Sequence, residues 1–255
     1  MTCHRVPPCL IAAFAAAGSV PATLAADAAP HWSYAGHGGP THWAALEPEF
    51  ASCKLGHAQS PIDIRTRTVE RSALPAIEFS YRPGAAKIVD NGHTVQITPA
   101  PGDSITVGGH RYELVQFHFH KPSEESIDGR RRDMVAHLVH KDASGKLAVV
   151  AVLLQAGSTN PMVAALWNNL PAHKDAEGEI KGVQVDPGDL LPKDRGYYTF
   201  EGSLTTPPCS EGVTWYVLKN PSQVSSGEVA RFGRAYPMNA RPVQPLNGRI
   251  VRASQ

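Results

Sequence analysis

Gln116-Phe117-His118-Phe119-His120 is the stretch from which the rest of this chain is read. Successive side chains of an extended strand alternate, so Gln116, His118 and His120 share one face while Phe117 and Phe119 share the other. The phenylalanine face is made for a core. The opposite face carries two imidazoles at i and i+2, a spacing that lets both converge on one metal ion. A third imidazole must come from elsewhere, and Met134-Val135-Ala136-His137-Leu138-Val139-His140 supplies it if that strand pairs antiparallel beside the first. His137 then shares a face with Val135 and Val139, and His140 looks the other way. Three neutral imidazoles leave a tetrahedral Zn²⁺ one open position, the arrangement of a catalytic rather than a structural site. The competing reading is a chance His-x-His pair on a half-buried strand.

Outward from these two strands the chain continues to read as β. Residues 86–89, 94–98 and 105–107 are short, β-branched and bounded by Gly, Pro, Asn or Asp, and residues 112–120, 147–155 and 212–218 are further strands. Helical patterns are few; 161–170, opened by a proline at its first position, and 226–232 are the best of them. No repeat or composition break follows residue 30. The expectation is a mainly β single domain over residues 31–255, with a few short peripheral helices.

Across 255 residues, 24 Lys+Arg stand against 23 Asp+Glu, and no basic stripe or acidic tail points to a nucleic-acid or membrane-surface partner. The N-terminus reads as an export signal over residues 1–25, with Arg5 ahead of an apolar, alanine-rich run and small residues at 22–26 offering a cleavage site. A transmembrane anchor is the alternative, but Gly18, Ser19 and Pro21 interrupt a run too short to span comfortably. Cleavage leaves Cys53 and Cys209, which an oxidising compartment is expected to pair, two unrelated buried thiols being the alternative. The protein would then be exported, periplasmic in a cell with an outer membrane and secreted otherwise, as a monomer or a homodimer.

The motifs also carry a resemblance. His31-Trp32-Ser33-Tyr34, Gly39-Pro40-Thr41-His42-Trp43, Gln59-Ser60-Pro61-Ile62-Asp63-Ile64, Asn91-Gly92-His93, the Gln116–His120 strand, Ala136-His137-Leu138-Val139-His140, Ser203-Leu204-Thr205-Thr206-Pro207-Pro208-Cys209 and Asn239-Ala240-Arg241-Pro242 occur in this order. In that succession the chain resembles the α-class carbonic anhydrases over nearly all of residues 31–255. The resemblance implies a central twisted, largely antiparallel sheet with Zn²⁺ at the base of a conical cleft, held by His118, His120 and His137. It implies reversible hydration of carbon dioxide to bicarbonate, with zinc-activated hydroxide as the nucleophile.

By the same resemblance Thr205 accepts a hydrogen bond from the hydroxide while giving its own proton to Glu124, and Thr206 helps hold bicarbonate. Val139, Val149, Leu204, Val213 and Trp215 line the place for apolar carbon dioxide. His93 is the proton shuttle, with Asn91 and Gln96 ordering the water between. Cys53 and Cys209 match the disulfide of exported members.

Two positions depart from the family pattern. Many members carry Glu-His where this chain has Glu124-Glu125, and most carry a Glu at the Val135 position that serves the third ligand. The changes are complementary: a carboxylate missing at 135 stands at 125. Glu125 is therefore expected to accept from the second nitrogen of His137, with Glu124 and Glu125 facing opposite ways as strand neighbours. Two rival readings remain. A cupin-type metal enzyme lacks its Pro-x-Gly-x-x-His segment here, and a carbonic-anhydrase-like binding or adhesion domain would usually lack a ligand.

Overall fold

The structure is a computed structural model that describes residues 1–2 and 31–255, so the expected export signal lies, beyond its first two residues, outside the described residues. Seven strands frame the site: β1 (Ala86–Asp90), β2 (Val95–Pro99), β3 (His110–His120), β4 (Met134–Lys141), β5 (Leu147–Ala156), β6 (Tyr197–Ser203) and β7 (Glu211–Leu218). They lie side by side in the order β1-β2-β3-β4-β5-β7-β6 within a sheet of thirteen strands among the described residues. Most pairings are antiparallel, including β3 with β4 and β4 with β5, while β5 and β7 run parallel.

Alternation along these strands separates two cores. Phe117, Phe119, Ala136, Leu138, Val150 and Val152 point into one. Val135, Val139, Val149, Ala151, Val213 and Trp215 point into the other. The run Met134–His140 is buried throughout because both faces of β4 are covered, as expected of a strand in the middle of a two-sided sheet.

The first core is closed by two helices. α3 (Pro161–Asn168) starts where the Asn160 side chain accepts from the Met162 and Val163 N–H groups, and α4 (Ser226–Ala235) starts on a Ser225–Glu228 capping box. α3 stops before the expected Leu170, and α4 runs past the expected Phe232 to a last turn closed by Tyr236 N–H on Phe232 O. Trp167 and Phe232 bring these helices onto Phe119, with ring centroids 5.0 and 6.3 Å away. Removing a side chain as large as Trp167 costs about 3–5 kcal/mol.

The short helices α1 (Trp43–Leu46) and α2 (Ser52–Leu55) form a third cluster in which Trp43 packs with Cys53 and Cys209. Cys53 and Cys209 are joined by a disulfide across 156 residues of sequence. That bond ties α2 to the loop carrying Thr205.

Candidate metal centre

Register brings the three imidazoles together. In the β3–β4 pairing His137 stands directly opposite His118, and Val135 opposite His120. Directly opposed residues keep their Cβ atoms about 5 Å apart, so His137 projects on the same face as the His118–His120 pair. Ligand nitrogens of His118, His120 and His137 lie within 4.8 Å of one another, the only such cluster among the described residues. His120 and His137 are buried and His118 is half-buried, so the open side of the cluster is at His118.

Each ring has one nitrogen occupied. His118 Nδ1–H donates to Gln116 Oε1 at 2.8 Å, and His120 Nδ1–H donates to the Asn239 carbonyl at 2.7 Å. His137 Nε2–H is shared by both carboxylate oxygens of Glu125, at 3.1 and 3.2 Å. The nitrogens left over are Nε2 of His118, Nε2 of His120 and Nδ1 of His137, each with its lone pair free. Metal-ligating histidines carry their other N–H on a carboxylate, carbonyl or similar partner in this way. His120 Nε2 is also buried without any protein partner, a cost that a metal ion would remove. The donor set fits a Zn²⁺ ion with three protein nitrogens.

Electrostatics agree with the geometry. Burial, with the neighbouring His137, pulls His118 down to about 3, and burial with both neighbours pulls His120 well below the usual imidazole value. Both rings are therefore neutral near pH 7, as ligation requires. Burial also disfavours charge on His137, but the Glu125 carboxylate, by charge and hydrogen bond, and Glu124 outweigh it and raise the ring.

Glu124 and Glu125 do not alternate. The chain is bent at both residues, so the strand geometry expected there is absent, and both carboxylates reach the His137 ring. Glu124 Oε2 lies 3.8 Å from His137 Nδ1 and 3.5 Å from His120 Nε2. Burial lifts Glu124 to about 7; Glu125 adds to the rise, while His137, the Thr205 hydroxyl and the Arg241 N–H oppose it. Thr205 stands beside Glu124, although Oε2 meets no donor at full hydrogen-bond geometry.

The expected apolar wall is contiguous. Val139 faces Val149 across β4 and β5, and Val149 faces Trp215 across β5 and β7. Val213 joins them, Leu204 packs against the same cluster, and Trp215 sets its ring edge-on to His137 at 4.9 Å. Thr206 lies in the loop closed by the Cys209 N–H on its carbonyl at 2.8 Å. Val135 fills its position completely buried, with no polar atom to offer His137.

His93 stands apart from the cluster. Its ring stacks on Trp32 at 3.6 Å and on His31 at 4.7 Å. Burial, His31 and Lys174 lower it to about 4. Asn91 Oδ1 accepts from the His93 and Thr94 N–H groups and shapes the turn beneath the ring, while Gln96 pairs in register with His118. His31 is part of this stack. Asn239 is a site residue to which the sequence assigns no role: its carbonyl accepts from His120, and its side-chain amide donates to the carbonyls of His93 and Phe119. Its place in the Asn239–Pro242 motif was the only signal for it.

A family model described as eukaryotic-type carbonic anhydrase matches residues 38–255. The chain is 44% identical over 243 residues to a carbonic anhydrase of Klebsiella pneumoniae, covering 94% of this chain and 96% of that one. It is 46% identical over 224 residues to a carbonic anhydrase of Neisseria gonorrhoeae, covering 87% of each. It superposes with a TM-score of 0.84 on the alpha-carbonic anhydrase from Thermovibrio ammonificans solved with the inhibitor sulfanilamide, at 39% identity over 88% of this chain and 99% of that one. The chain, with its three converging imidazoles on paired strands, belongs to the eukaryotic-type, or alpha, carbonic anhydrase family.

Proposed function

We propose that the protein catalyses the reversible hydration of carbon dioxide to bicarbonate and a proton, with Zn²⁺ held by His118 Nε2, His120 Nε2 and His137 Nδ1. The observation that carries this reading is the set of three convergent nitrogens whose ring partners are each occupied by an acceptor. Bound there, zinc supplies a Lewis acid that ionises water near neutral pH.

The chain's own residues then direct the reaction. Glu124, acceptor-only when ionised, accepts a hydrogen bond from the Thr205 hydroxyl, so Thr205 Oγ1 can only accept from the attacking hydroxide. That would leave a lone pair of the hydroxide free for the substrate carbon. Val139, Val149, Leu204 and Val213 exclude water from the side where carbon dioxide lies, because an uncharged substrate gives polar groups nothing to grip. Thr206 holds the bicarbonate product. Gln116 and Glu125 fix the His118 and His137 rings, and Asn91 fixes the turn that presents His93, which takes up the released proton.

In its stack, burial with His31 and Lys174 lowers His93 to about 4, so the ring takes up a proton near neutrality more readily once it swings off Trp32 toward water, where imidazoles titrate near 6.5. The catalytic domain spans residues 31–255 and follows an export signal at 1–25. The Cys53–Cys209 disulfide suits an oxidising compartment, and no helix among the described residues is long and apolar enough to cross a membrane.

The test is metal analysis joined to a carbon dioxide hydration assay on His118→Ala, His120→Ala and His137→Ala. Each variant is expected to lose bound zinc and hydration together. A variant that keeps full activity removes its histidine from the ligand set. Wild-type protein that binds zinc without hydrating carbon dioxide would make the chain a binding domain.

A further inference from the structure

Glu124 is completely buried, and one hydrogen bond of full geometry among the described residues reaches its carboxylate: the Arg241 backbone N–H donates to Oε1 at 2.7 Å. Arg241 is itself 1% exposed. Its Nη1 donates to Gln59 Oε1 at 2.9 Å and to the Ser60 carbonyl at 2.7 Å, and its Nη2 donates to the Cys53 carbonyl at 2.9 Å. The guanidinium also lies over the Trp43 ring at 5.6 Å. All three acceptors belong to residues 53–60.

That same segment is fastened to the loop carrying Thr205. Cys53 is bonded to Cys209, and Gln59 Nε2 donates to the Cys209 carbonyl at 3.0 Å. The Ser60 N–H donates to Ser203 Oγ at 2.9 Å, and the Ser203 N–H donates to Ser60 Oγ at 3.1 Å. Thr205 therefore sits between two attachment points, Ser203 and Cys209, on the frame that grips Arg241.

We propose that Arg241 is a positioning residue for the hydration step: its guanidinium locks the backbone N–H that aims Glu124 onto the frame that carries Thr205, and so sets the Glu124–Thr205 contact. The proposal rests on the roles given to Glu124 and Thr205 above. A guanidinium suits this task because its planar fork offers fixed donors to several acceptors at once, which the single ammonium of lysine does not match. A small displacement of the 241 backbone would turn the carboxylate away from the Thr205 hydroxyl. The acceptor-only state of Thr205 Oγ1 toward the nucleophile would then be lost.

The experiment measures kcat/KM for carbon dioxide hydration, per bound zinc, in Arg241→Lys, Glu124→Ala and the double variant. Arg241→Lys is expected to lower kcat/KM roughly tenfold to hundredfold, the range that ångström-scale misplacement produces. In the Glu124→Ala background the same substitution should change it by no more than about twofold, the scatter expected of uncoupled sites. Equal losses in both backgrounds, or no loss in the single variant, overturn the proposal. Full activity in Glu124→Ala instead overturns the role of Glu124 itself, and the Arg241 proposal with it.

Two further readouts guard against a simple folding defect. Gln59→Leu removes one acceptor of the guanidinium and leaves Arg241 in place; it should lower kcat/KM in the same direction and lose that effect in the Glu124→Ala background. In metal-free protein, the residue-241 amide should exchange with solvent faster by at least about tenfold in Arg241→Lys, read by NMR, because its bond to Glu124 is no longer held. An unchanged exchange rate overturns the proposal independently of activity.

Discussion

Both carboxylate oxygens of Glu125 reach one nitrogen, His137 Nε2, at 3.1 and 3.2 Å. The carboxylate comes from the bend just before strand Ser126–Ile127, while Val135, two residues before His137 on β4, is apolar and buried. Glu125→Ala should therefore weaken zinc binding by about 10–100-fold, the range for losing a partner of a ligand imidazole. Glu125→Gln should recover part of the affinity, since one amide oxygen suffices to accept a single N–H. Competition against a chelator checks both variants, and full affinity in Glu125→Ala would sink the role.

His93 provides a prediction about acidity. Its folded-state value, about 4, lies below the unfolded histidine value because of burial, His31 and Lys174. The unfolded chain thus binds the proton more readily, and the His93 contribution to stability is lost as pH falls from about 6.5 toward 4. Trp32→Ala opens one side of the stack and should move His93 upward toward 6.5 in an NMR titration. It should also raise turnover in weak buffer at pH 7, whereas His93→Ala should lower turnover, keep zinc and respond to added imidazole. A His93 titration unmoved by Trp32→Ala would show that the stack is not what lowers it.

Carbon dioxide is expected to lie against Val139, which faces Val149 across the sheet. Val139→Phe places extra volume there and should reduce kcat/KM by about 10–100-fold, the scale of a displaced reactant, with zinc content unchanged. Turnover that survives intact would put the substrate elsewhere.

Reducing the Cys53–Cys209 bond opens a loop spanning 156 residues. The chain-entropy model assigns such a crosslink about 5 kcal/mol as an upper value. Calorimetry should show a lower melting temperature after reduction while the His118, His120 and His137 set still retains zinc. An unchanged melting temperature would mean that the reduced, unfolded chain is already restricted.

Much of this molecule is legible in local periods. The alternation at Gln116–His120 and Met134–His140 shows which residues face together, because strand geometry repeats every two residues whatever the surroundings. The strands themselves follow from β-branched runs bounded by turn residues, and the ligand candidates and both cysteines stand out by type and place. Helix ends are less legible: α4 continues past Phe232 to Ala235, and the Tyr236 ring that follows packs on Phe232 at 5.4 Å.

Register and closure are not local properties. That His137 lies opposite His118, and not opposite Phe117 or Phe119, depends on how two strands slide against each other, and the buried faces of the whole sheet decide it. The acceptor for His120 is the Asn239 carbonyl, 119 residues away in sequence. The bend at Glu124–Glu125 turns both carboxylates the same way, where strand alternation predicted opposite faces. The stack of Trp32 and His31 on His93 and the burial of Arg241 among carbonyls likewise arise where distant segments meet. Side-chain order along one strand is written by the backbone's own repeat, but the partners of those side chains exist only once the chain has closed on itself.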